Sequence, residues 1–311
     1  MSRDNNSKGI VLILIAMSLF AIQDSLIKYI FEQSALYEIF FGRYLIAATV
    51  LFIYLIFKRQ KVSLKTHYPL LTFVRVLLHF VAFSTFFISI TYMQLATANA
   101  LFFSCPYFVS IFAKFFLKEF IGIRRWSAIF VGFIGVYIIL NPNFSDFDYM
   151  KLAPVACALC YAVSMTITKI TSEKDNVYTQ MIHLYLGALL ISIIFFIFTG
   201  QGQFDNFSDP AFQFIFREWF TNPSYAWPFI SVMGCIVSVA FFFVFNAYSI
   251  SSPSVVSLYE YSLIIWSILI GYILFNSVPT PRTFIGISII IGSGIYIYLR
   301  EKTKDQLIVT D

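Results

Sequence analysis

The chain has 311 residues, of which 59% are hydrophobic and only 12% are charged. Soluble domains carry about twice that charged fraction, so the composition excludes a water-soluble protein and predicts a surface that largely faces lipid. The net charge of +5 does not indicate a nucleic-acid partner, because the basic residues lie in short clusters between apolar runs, which is a signal of membrane topology.

Ten apolar runs along the chain are long enough to span a bilayer, which takes about 20 residues in a helix. The first five are predicted at 9–30, 35–57, 69–92, 95–117 and 124–141, and the second five at 150–171, 176–199, 227–248, 253–275 and 281–299. These runs are long and do not alternate apolar with polar residues, which favours helices over barrel strands. We therefore expect an all-α integral membrane protein of ten transmembrane helices. The first run is too long for a signal peptide, so it is predicted to be retained.

The loops differ in basic content, and this difference predicts the orientation. With the N-terminus in the cytoplasm, the cytoplasmic segments hold a large excess of Lys and Arg. These are Arg3, Lys8, Lys58, Arg59, Lys61, Lys65, Lys118, Arg124, Arg125, Lys174, Arg300, Lys302 and Lys304. The other side has Lys151, Arg217 and the long loop 200–226. The pattern predicts a multi-pass protein of the cell inner (plasma) membrane with both termini cytoplasmic.

A weak internal repeat divides the chain into halves at 1–142 and 143–311. The first span contains Phe20-Ala-Ile-Gln-Asp-Ser-Leu-Ile-Lys28, and the sixth contains Tyr161-Ala-Val-Ser-Met-Thr-Ile-Thr-Lys169. In both, an aromatic residue and an alanine precede a lysine at the same spacing. Because each half has an odd number of spans, the second copy enters the membrane from the opposite side, as two inverted five-helix repeats.

Several segments resemble the end of an EamA domain, the repeat unit of the drug/metabolite transporter (DMT) superfamily. They are Ala100–Pro106, Leu117–Glu119, Gly132–Val136 and Asn141-Pro142 in the first half, with Gly271–Phe275, Gly286 and Gly292–Tyr296 in the second. The resemblance covers two tandem EamA domains and implies a ten-helix, inverted-repeat carrier without ATP hydrolysis. Among bacterial members, the chain is most similar to carriers of S-adenosylmethionine or riboflavin. It departs from the pattern after the ninth span, where no acid matches Glu119.

Ionisable residues within the spans are the best site candidates, since each costs at least about 2.5–3.5 kcal/mol at the bilayer centre. Arg43 either binds an anionic substrate group as a forked donor or pairs with Asp24 or Glu38. Asp24 and Lys28 lie four residues apart, so they either neutralise each other or serve coupling or gating. Asn99 is a further polar candidate for gating.

The third span carries Arg75 and His79 on one face of a helix. His79 lies near the middle of the span, where it either relays protons or makes a neutral hydrogen-bonded helix contact. The ninth span carries Glu260 at the place that matches Pro106 in the fourth span. A proline inside a helix frees a carbonyl group, and two polar or interrupted sites at repeat-related positions indicate a central cavity.

The substrate-binding set is completed by aromatic residues near these polar groups. Aromatic faces stack on flat rings and bind cations. The predicted set is Arg43, Arg75, His79, Tyr107, Tyr161, Glu260 and Trp266. The spacing Cys157-x-x-Cys160 also fits a redox or metal pair, but packing is the favoured interpretation because no second pair or nearby histidine accompanies it.

Three classes of function are open to a membrane protein of this kind. A secondary transporter explains the repeat, the number of spans and the buried polar residues together. A membrane-embedded enzyme acting on a lipid would need clustered acids or histidines, and a receptor or scaffold would not need polar groups near the centre of both halves. No P-loop is present, which argues against an ATP-driven pump.

We therefore expect a transporter rather than an enzyme. It should move a small organic metabolite by alternating access, such as S-adenosylmethionine, riboflavin, an amino acid or a similar amphipathic or zwitterionic compound. No cofactor, metal or nucleic acid is expected. The expected partners are the metabolite and the lipid bilayer, with a proton or counter-substrate as the coupling options, while direction and oligomeric state stay open.

Overall fold

The computed structural model describes residues 5–59, 63–118, 122–141 and 149–309, and every regular element in these ranges is helical. The α-helices are α1 (Asn6–Ile30), α2 (Leu36–Phe57), α3 (Pro69–Ser89), α4 (Leu95–Phe102), α5 (Cys105–Phe116), α6 (Ile123–Leu140), α7 (Ala153–Thr171), α8 (Val177–Thr199), α9 (Pro210–Phe216), α10 (Ala226–Ile250), α11 (Pro253–Tyr259), α12 (Ser262–Phe275) and α13 (Pro281–Val309). A short 3₁₀ helix, Tyr149–Leu152, precedes α7. Glu119 lies outside the described residues.

Eight described segments are long and apolar enough to cross a membrane, and they make this an all-α multi-pass membrane protein. Two of the eight are the α4–α5 and α11–α12 segments, each taken as one span. The apolar part of α6, Trp126–Leu140, is shorter. The ten-helix count therefore stays a prediction, although helices occupy all ten predicted runs.

Two spans are broken near their middle. The first break separates α4 from α5 at Phe103 and Ser104, immediately before Pro106, whose missing N–H group cannot continue the helical hydrogen-bond ladder. The second separates α11 from α12 at Glu260 and Tyr261. The breaks face each other, with the rings of Phe103 and Tyr261 at 5.2 Å. Interrupted helices are tolerated at this depth where protein or a cavity satisfies the freed backbone groups.

Helix pairing follows the internal repeat. The third helix of the first half, α3, packs on α7, and its counterpart α10 packs on α1. The last helices of the two halves, α6 and α13, pack closely through Gly135 and Gly286. A Cβ atom added at Gly135 would lie 2.9 Å from the Gly286 carbonyl oxygen, and one at Gly286 would lie 2.8 Å from the Gly135 oxygen. Only glycine permits this approach, as in other membrane helix pairs.

The two lysines of the repeat make equivalent contacts. Lys28 Nζ donates to the carbonyl oxygens of Ile90 at 3.0 Å and Met93 at 2.8 Å, just after α3. Lys169 Nζ donates to Ser249 at 3.3 Å and Ser251 at 2.9 Å, at the end of α10. A cation stabilises the carbonyl end of a helix. The prediction that Lys28 and Asp24 neutralise each other is therefore wrong, because the Lys28 ammonium group donates its hydrogen bonds to backbone carbonyl oxygens instead.

A segment that we name the proximal strap, residues 63–68, closes the end of the bundle at which Asn5 lies. It joins α2 to α3 and binds the turn between α7 and α8. Asp175 in that turn accepts hydrogen bonds from the Thr66 hydroxyl, and from the His67 backbone N–H at 3.0 Å and ring Nδ1 at 2.9 Å. His183 Nε2 lies 2.9 Å from the Leu64 carbonyl oxygen. Strap and turn are thus held by a buried carboxylate.

The distal strap, residues 200–225, closes the opposite end. It joins α8 to α10, contains α9, and binds the turn between α1 and α2. Arg217 Nη1 donates to the carbonyl oxygens of Phe31 at 2.7 Å and Ser34 at 3.2 Å. The Phe220 N–H donates to Glu38 Oε1 at 3.2 Å. In each half, then, the connection between the second and third helices binds the first turn of the other half.

Candidate functional site

A small, partly open central cavity lies beside the two helix breaks, with a volume of about 30 Å³ that water-sized groups can occupy. Its walls come from α1, α3, α4, α7 and α12. The lining residues are Met17, Phe20, Asp24, Phe83, Phe86, Asn99, Phe102, Cys157, Tyr161 and Leu263. Five of the ten are aromatic and one is charged, so the cavity combines ring faces with a single carboxylate.

Asp24 supplies that carboxylate from the last third of α1, and it is 4% exposed. Gln23 Nε2 donates to Asp24 Oδ1 at 3.5 Å, and the Asn99 side chain is also in contact with the carboxyl group. Among the described residues, no Lys, Arg or His nitrogen lies within 4.0 Å of it. Asn99 donates to Ser267 Oγ at 2.8 Å, while its buried Oδ1 atom has no partner. The cavity therefore presents a carboxylate that no salt bridge neutralises in the described ranges, together with an amide oxygen that has no partner there.

Arg43 lies behind one wall of the cavity and is fully buried. Its Nη2 donates to the Tyr44 hydroxyl at 3.0 Å, but the Nε and Nη1 groups have no hydrogen-bond partner among the residues that the structure describes. The guanidinium carbon lies 4.5 Å from the centroid of Phe40 and 5.8 Å from that of Phe83. Neither Asp24 nor Glu38 forms an ion pair with it in the described ranges. The predicted structural pairing is absent, and free donors remain.

His79 is buried between the rings of Phe83 at 4.7 Å and Phe241 at 4.9 Å. Neither ring nitrogen has a hydrogen-bond partner in the described structure. The ring also lies 6.2 Å from Tyr161. Since Phe83 and Tyr161 both line the cavity, His79 stands directly behind its wall. The expected hydrogen-bonded helix contact is not formed.

Glu260 lies at the second helix break, behind Tyr161 rather than in the cavity wall. Its Oε1 atom accepts hydrogen bonds from Tyr248 at 2.7 Å and Tyr161 at 3.2 Å. The thiol of Cys105 lies 4.0 Å from Oε2. A buried carboxyl group with several donors is stabilised where it lies. Glu260 therefore holds the Tyr161 hydroxyl behind the cavity wall and fixes the position of the ring that lines the cavity.

The remaining predicted residues lie apart from the cavity. Arg75 donates to Gln180 Oε1 at 2.7 Å and to the Gln180 carbonyl oxygen at 3.0 Å, which ties α3 to α8. Tyr107 lies between α5 and α13, where its hydroxyl is 2.6 Å from Ser293 Oγ. Trp266 is 41% exposed on the outward face of α12, together with Ile265.

Sequence reasoning did not single out most of the aromatic wall. Phe83, Phe86 and Phe102 line the cavity, but phenylalanine is so frequent in this chain that composition does not separate them from lipid-facing rings. Phe20 did carry a signal, since it begins the repeated motif on α1. Gln180, which holds Arg75, was also missed because an amide near a span end has many unrelated roles.

A second cavity, between α2, α8 and α10, has a weaker claim to bind a substrate. Its lining includes Tyr54, Tyr178, Met181 and Ser238, and no charged residue. The central cavity instead adjoins both helix breaks and the unpaired polar groups. Cys157 reaches the central cavity, and both it and Cys160 are free thiols. In the described ranges, no cluster of three His, Cys, Asp or Glu residues has metal-binding geometry.

Comparisons with known proteins agree with this architecture. Residues 7–141 and 150–299 match the EamA-like transporter family in tandem. Relatives include an S-adenosylmethionine uptake transporter of Rickettsia prowazekii, 27% identical over 94% of this chain and 93% of the relative. A riboflavin transporter of Vibrio cholerae is 26% identical over 96% and 95%. A pseudopaline exporter of Pseudomonas aeruginosa is 23% identical over 94% and 97%.

The fold also matches that of a protein of known crystal structure. The TM-score is 0.68 at 15% identity, over 94% of this chain and 97% of the other. Two tandem matches that together cover most of the chain establish its family. The protein belongs to the EamA-like transporter family of the DMT superfamily, and is thus a membrane transporter of small metabolites rather than an enzyme.

Proposed function

We propose that this transporter works by alternating access, with the central cavity as its substrate site and S-adenosylmethionine as the first substrate to test. Riboflavin and amino acids are the other compounds to compare. The observation that carries the proposal is a set of buried polar groups around a cavity beside two broken helices. Arg43, His79 and Asn99 each have at least one polar atom without a hydrogen-bond partner among the described residues, and Asp24 lines the cavity without a salt bridge. Unpaired buried groups of this kind are costly unless a ligand satisfies them.

The two straps suit a carrier that opens at one end at a time. The proximal strap binds the second half through Asp175, and the distal strap binds the first half through Arg217. Both straps keep their contacts here, and in this proposal that arrangement is the occluded state. Release of one strap would open the cavity to one side while the other strap keeps the opposite side shut.

An inverted repeat accounts for this pairing of straps. If the halves 1–142 and 143–311 are related by an axis in the membrane plane, each contact at one end has a counterpart at the other. The contacts of Lys28 and Lys169 support the same relation. With the excess of basic residues placed in the cytoplasm, the proximal strap is the cytoplasmic gate, both termini are cytoplasmic, and the protein lies in the inner membrane.

The test is uptake into proteoliposomes containing the purified protein. Labelled S-adenosylmethionine, riboflavin and an aromatic amino acid are compared with protein-free liposomes, with and without a proton gradient or internal counter-substrate. Accumulation that saturates with concentration supports the proposal, and the dependence on gradient or counter-substrate identifies the coupling. If correctly folded protein transports none of a wide metabolite panel under any gradient, the proposed function is wrong.

A further inference from the structure

The cavity between α2, α8 and α10, which we name the lateral cavity, has no part in the proposed transport mechanism. Water-sized groups can occupy about 140 Å³ of it, against about 30 Å³ in the central cavity. Its lining residues Tyr54 and Val239 are 38% and 43% exposed, and other apolar residues of α2, such as Phe57, are more exposed still. Since α2 and α10 are membrane spans, the lateral cavity opens sideways to the lipid rather than toward either end of the bundle.

The lining of the lateral cavity suits hydrocarbon better than water. Its residues are Val50, Leu51, Tyr54, Tyr178, Met181, Ser238, Val239 and Phe242. The Tyr54 and Tyr178 hydroxyl oxygens lie 3.4 Å apart and serve each other, and the rings of Tyr178 and Phe242 stack at 5.8 Å. A buried water takes about 10–15 Å³ of such volume and needs several polar partners. The hydroxyl groups of this lining are too few to hold a water cluster that fills the cavity, whereas methylene groups need no such partners.

Two basic residues follow the lateral cavity at its proximal end. The Lys58 N–H donates to the Tyr54 carbonyl oxygen at 3.0 Å, so the helical geometry of α2 continues and places Lys58 one turn beyond Tyr54 on the same face. Arg59 is next in the chain. Both residues are exposed, and neither forms a salt bridge in the described ranges. Cations at the membrane surface, one turn beyond an apolar cavity, match the phosphate of a lipid whose chain lies in that cavity.

From these observations we infer that the lateral cavity is a lipid site, which binds an acyl chain of an anionic phospholipid and holds its headgroup against Lys58 and Arg59. The acyl chain makes the apolar contacts, and the two cations select the headgroup. Two basic residues at a membrane surface should favour an anionic over a zwitterionic headgroup roughly tenfold or more. This site is separate from the central cavity and does not depend on the proposed transport.

A lipid in the lateral cavity would connect the two repeats. The helix α2 lies in the first segment that matches the family, whereas α8 and α10 lie in the second. The proximal strap is attached beside the cavity, because the Thr179 hydroxyl, next to the lining residue Tyr178, donates to the Ser63 carbonyl oxygen at 3.0 Å. A chain between α2 and α8 would hold these helices together at the proximal end. Bound anionic lipid should therefore stabilise the protein with its proximal strap closed.

Photoreactive lipids with two different headgroups provide the test. Phosphatidylglycerol and phosphatidylcholine with the same chains, each with a diazirine group in one chain, are mixed separately with purified protein in a neutral detergent. After illumination, the labelled peptides are identified by mass spectrometry. The phosphatidylglycerol probe should label the lining segments 50–54, 178–181 and 238–242 at least tenfold more than the phosphatidylcholine probe does. Unlabelled phosphatidylglycerol should displace it, and should raise the melting temperature of the protein more than phosphatidylcholine does.

Two kinds of variant separate the headgroup from the chain. Lys58→Gln combined with Arg59→Gln should reduce labelling by phosphatidylglycerol to the level of phosphatidylcholine. The matched control is Lys118→Gln combined with Arg124→Gln, which removes one exposed lysine and one exposed arginine at the same end of the bundle, after α5 and at the start of α6. Val239→Trp places a large side chain in the cavity and should abolish labelling of the lining by both lipids. Melting temperatures confirm that each variant is folded.

The inference is wrong if the wild-type protein is labelled equally by both lipids at the three segments, as it would be by lipid that merely surrounds the protein. It is also wrong if the headgroup preference survives in the folded Lys58→Gln and Arg59→Gln protein, or if the control pair loses as much of it. Crosslinks that place a second copy of the chain over the cavity would overturn it as well. None of these results depends on transport, so failure of the lipid site leaves the proposed function standing.

Discussion

Removal of the Asp175 carboxylate should open the proximal strap. Asp175→Ala eliminates three hydrogen bonds, from the Thr66 hydroxyl and from the backbone and ring of His67. A hydrogen bond to a charged group contributes about 1.5–3 kcal/mol, but His67 is 61% exposed, so solvent competes for its share. The three hydrogen bonds together should stabilise the closed strap by about 2–3 kcal/mol. Each step of about 1.4 kcal/mol changes the equilibrium constant between closed and open strap tenfold. The open population should rise roughly 30- to 100-fold.

The thiol of Cys157, which lines the central cavity, can report this opening. With Cys105, Cys160 and Cys235 replaced by alanine, Cys157 is the single thiol of the chain. A charged maleimide that does not cross the membrane is applied to either face of sealed vesicles. Because modification requires an open path, its rate follows the open population. Asp175→Ala should accelerate labelling from the proximal face alone.

The distal strap provides the mirror experiment. Arg217→Ala removes the donor to Phe31 and Ser34, so it should accelerate labelling from the opposite face alone. Glu173→Ala, next to the same turn as Asp175, serves as the control and should leave both rates unchanged. Equal rates in wild-type and Asp175→Ala protein, or acceleration from both faces, would refute the reasoning that each strap closes one end.

Three further predictions concern stability, each measured as a melting temperature of purified protein. Glu260→Leu should lower the melting temperature, because the loss of the buried acceptor of Tyr161 destabilises the fold by about 1–3 kcal/mol. Glu260→Gln should destabilise the protein less. An unchanged melting temperature in the Leu variant would contradict this prediction. The side chain introduced by Gly135→Leu would collide with Gly286 and lower the stability by about 1–3 kcal/mol or more. Gly292→Leu is the control and should be tolerated, since no atom lies within 4 Å of a Cβ added there. Equal losses of stability in the two variants would contradict the close packing of α6 on α13. The stability difference between wild-type and Asp175→Asn protein should shrink as the pH falls below about 5, and a constant difference from there down to about pH 3 would contradict this.

The direction of that pH effect follows from the surroundings of Asp175, which lies in the turn after α7. Burial opposes ionisation, but hydrogen bonds from the His67 backbone, the Thr66 hydroxyl and the His67 ring outweigh it and lower the pKa of Asp175 below its ordinary 3.8. A carboxyl group with a lowered pKa in the folded state stabilises that state above its unfolded pKa. The contribution is lost as the pH falls through the folded value.

The positions of the helices could be predicted from the sequence because a membrane span depends on length and apolarity alone. The break before Pro106 was predictable for an equally local reason, the missing N–H group. The break at Glu260 had no proline, and only its repeat-related position and its charge pointed to it. Local chemistry and the repeat thus determine the framework.

The partners of the buried charges could not be predicted in the same way. Lys28 was placed with Asp24 by its spacing on one helix, but its side chain reaches Ile90 and Met93 beyond α3. Trp266 was grouped with polar neighbours in the sequence, although its side of α12 faces outward. Both outcomes depend on the rotation of each helix about its axis and on neighbours distant in sequence. Apolar composition contains no signal for either.

The most direct test of the account is transport of S-adenosylmethionine into proteoliposomes by wild-type and Asp24→Asn protein, each confirmed to be folded, with Glu173→Gln as the control. The account predicts saturable uptake by the wild-type and control proteins. It also predicts loss of at least nine-tenths of that uptake in Asp24→Asn, because Asp24 supplies the one charged side chain among the residues that line the central cavity. Uptake by the Asp24→Asn protein at the wild-type rate and affinity would contradict a transport site at this cavity.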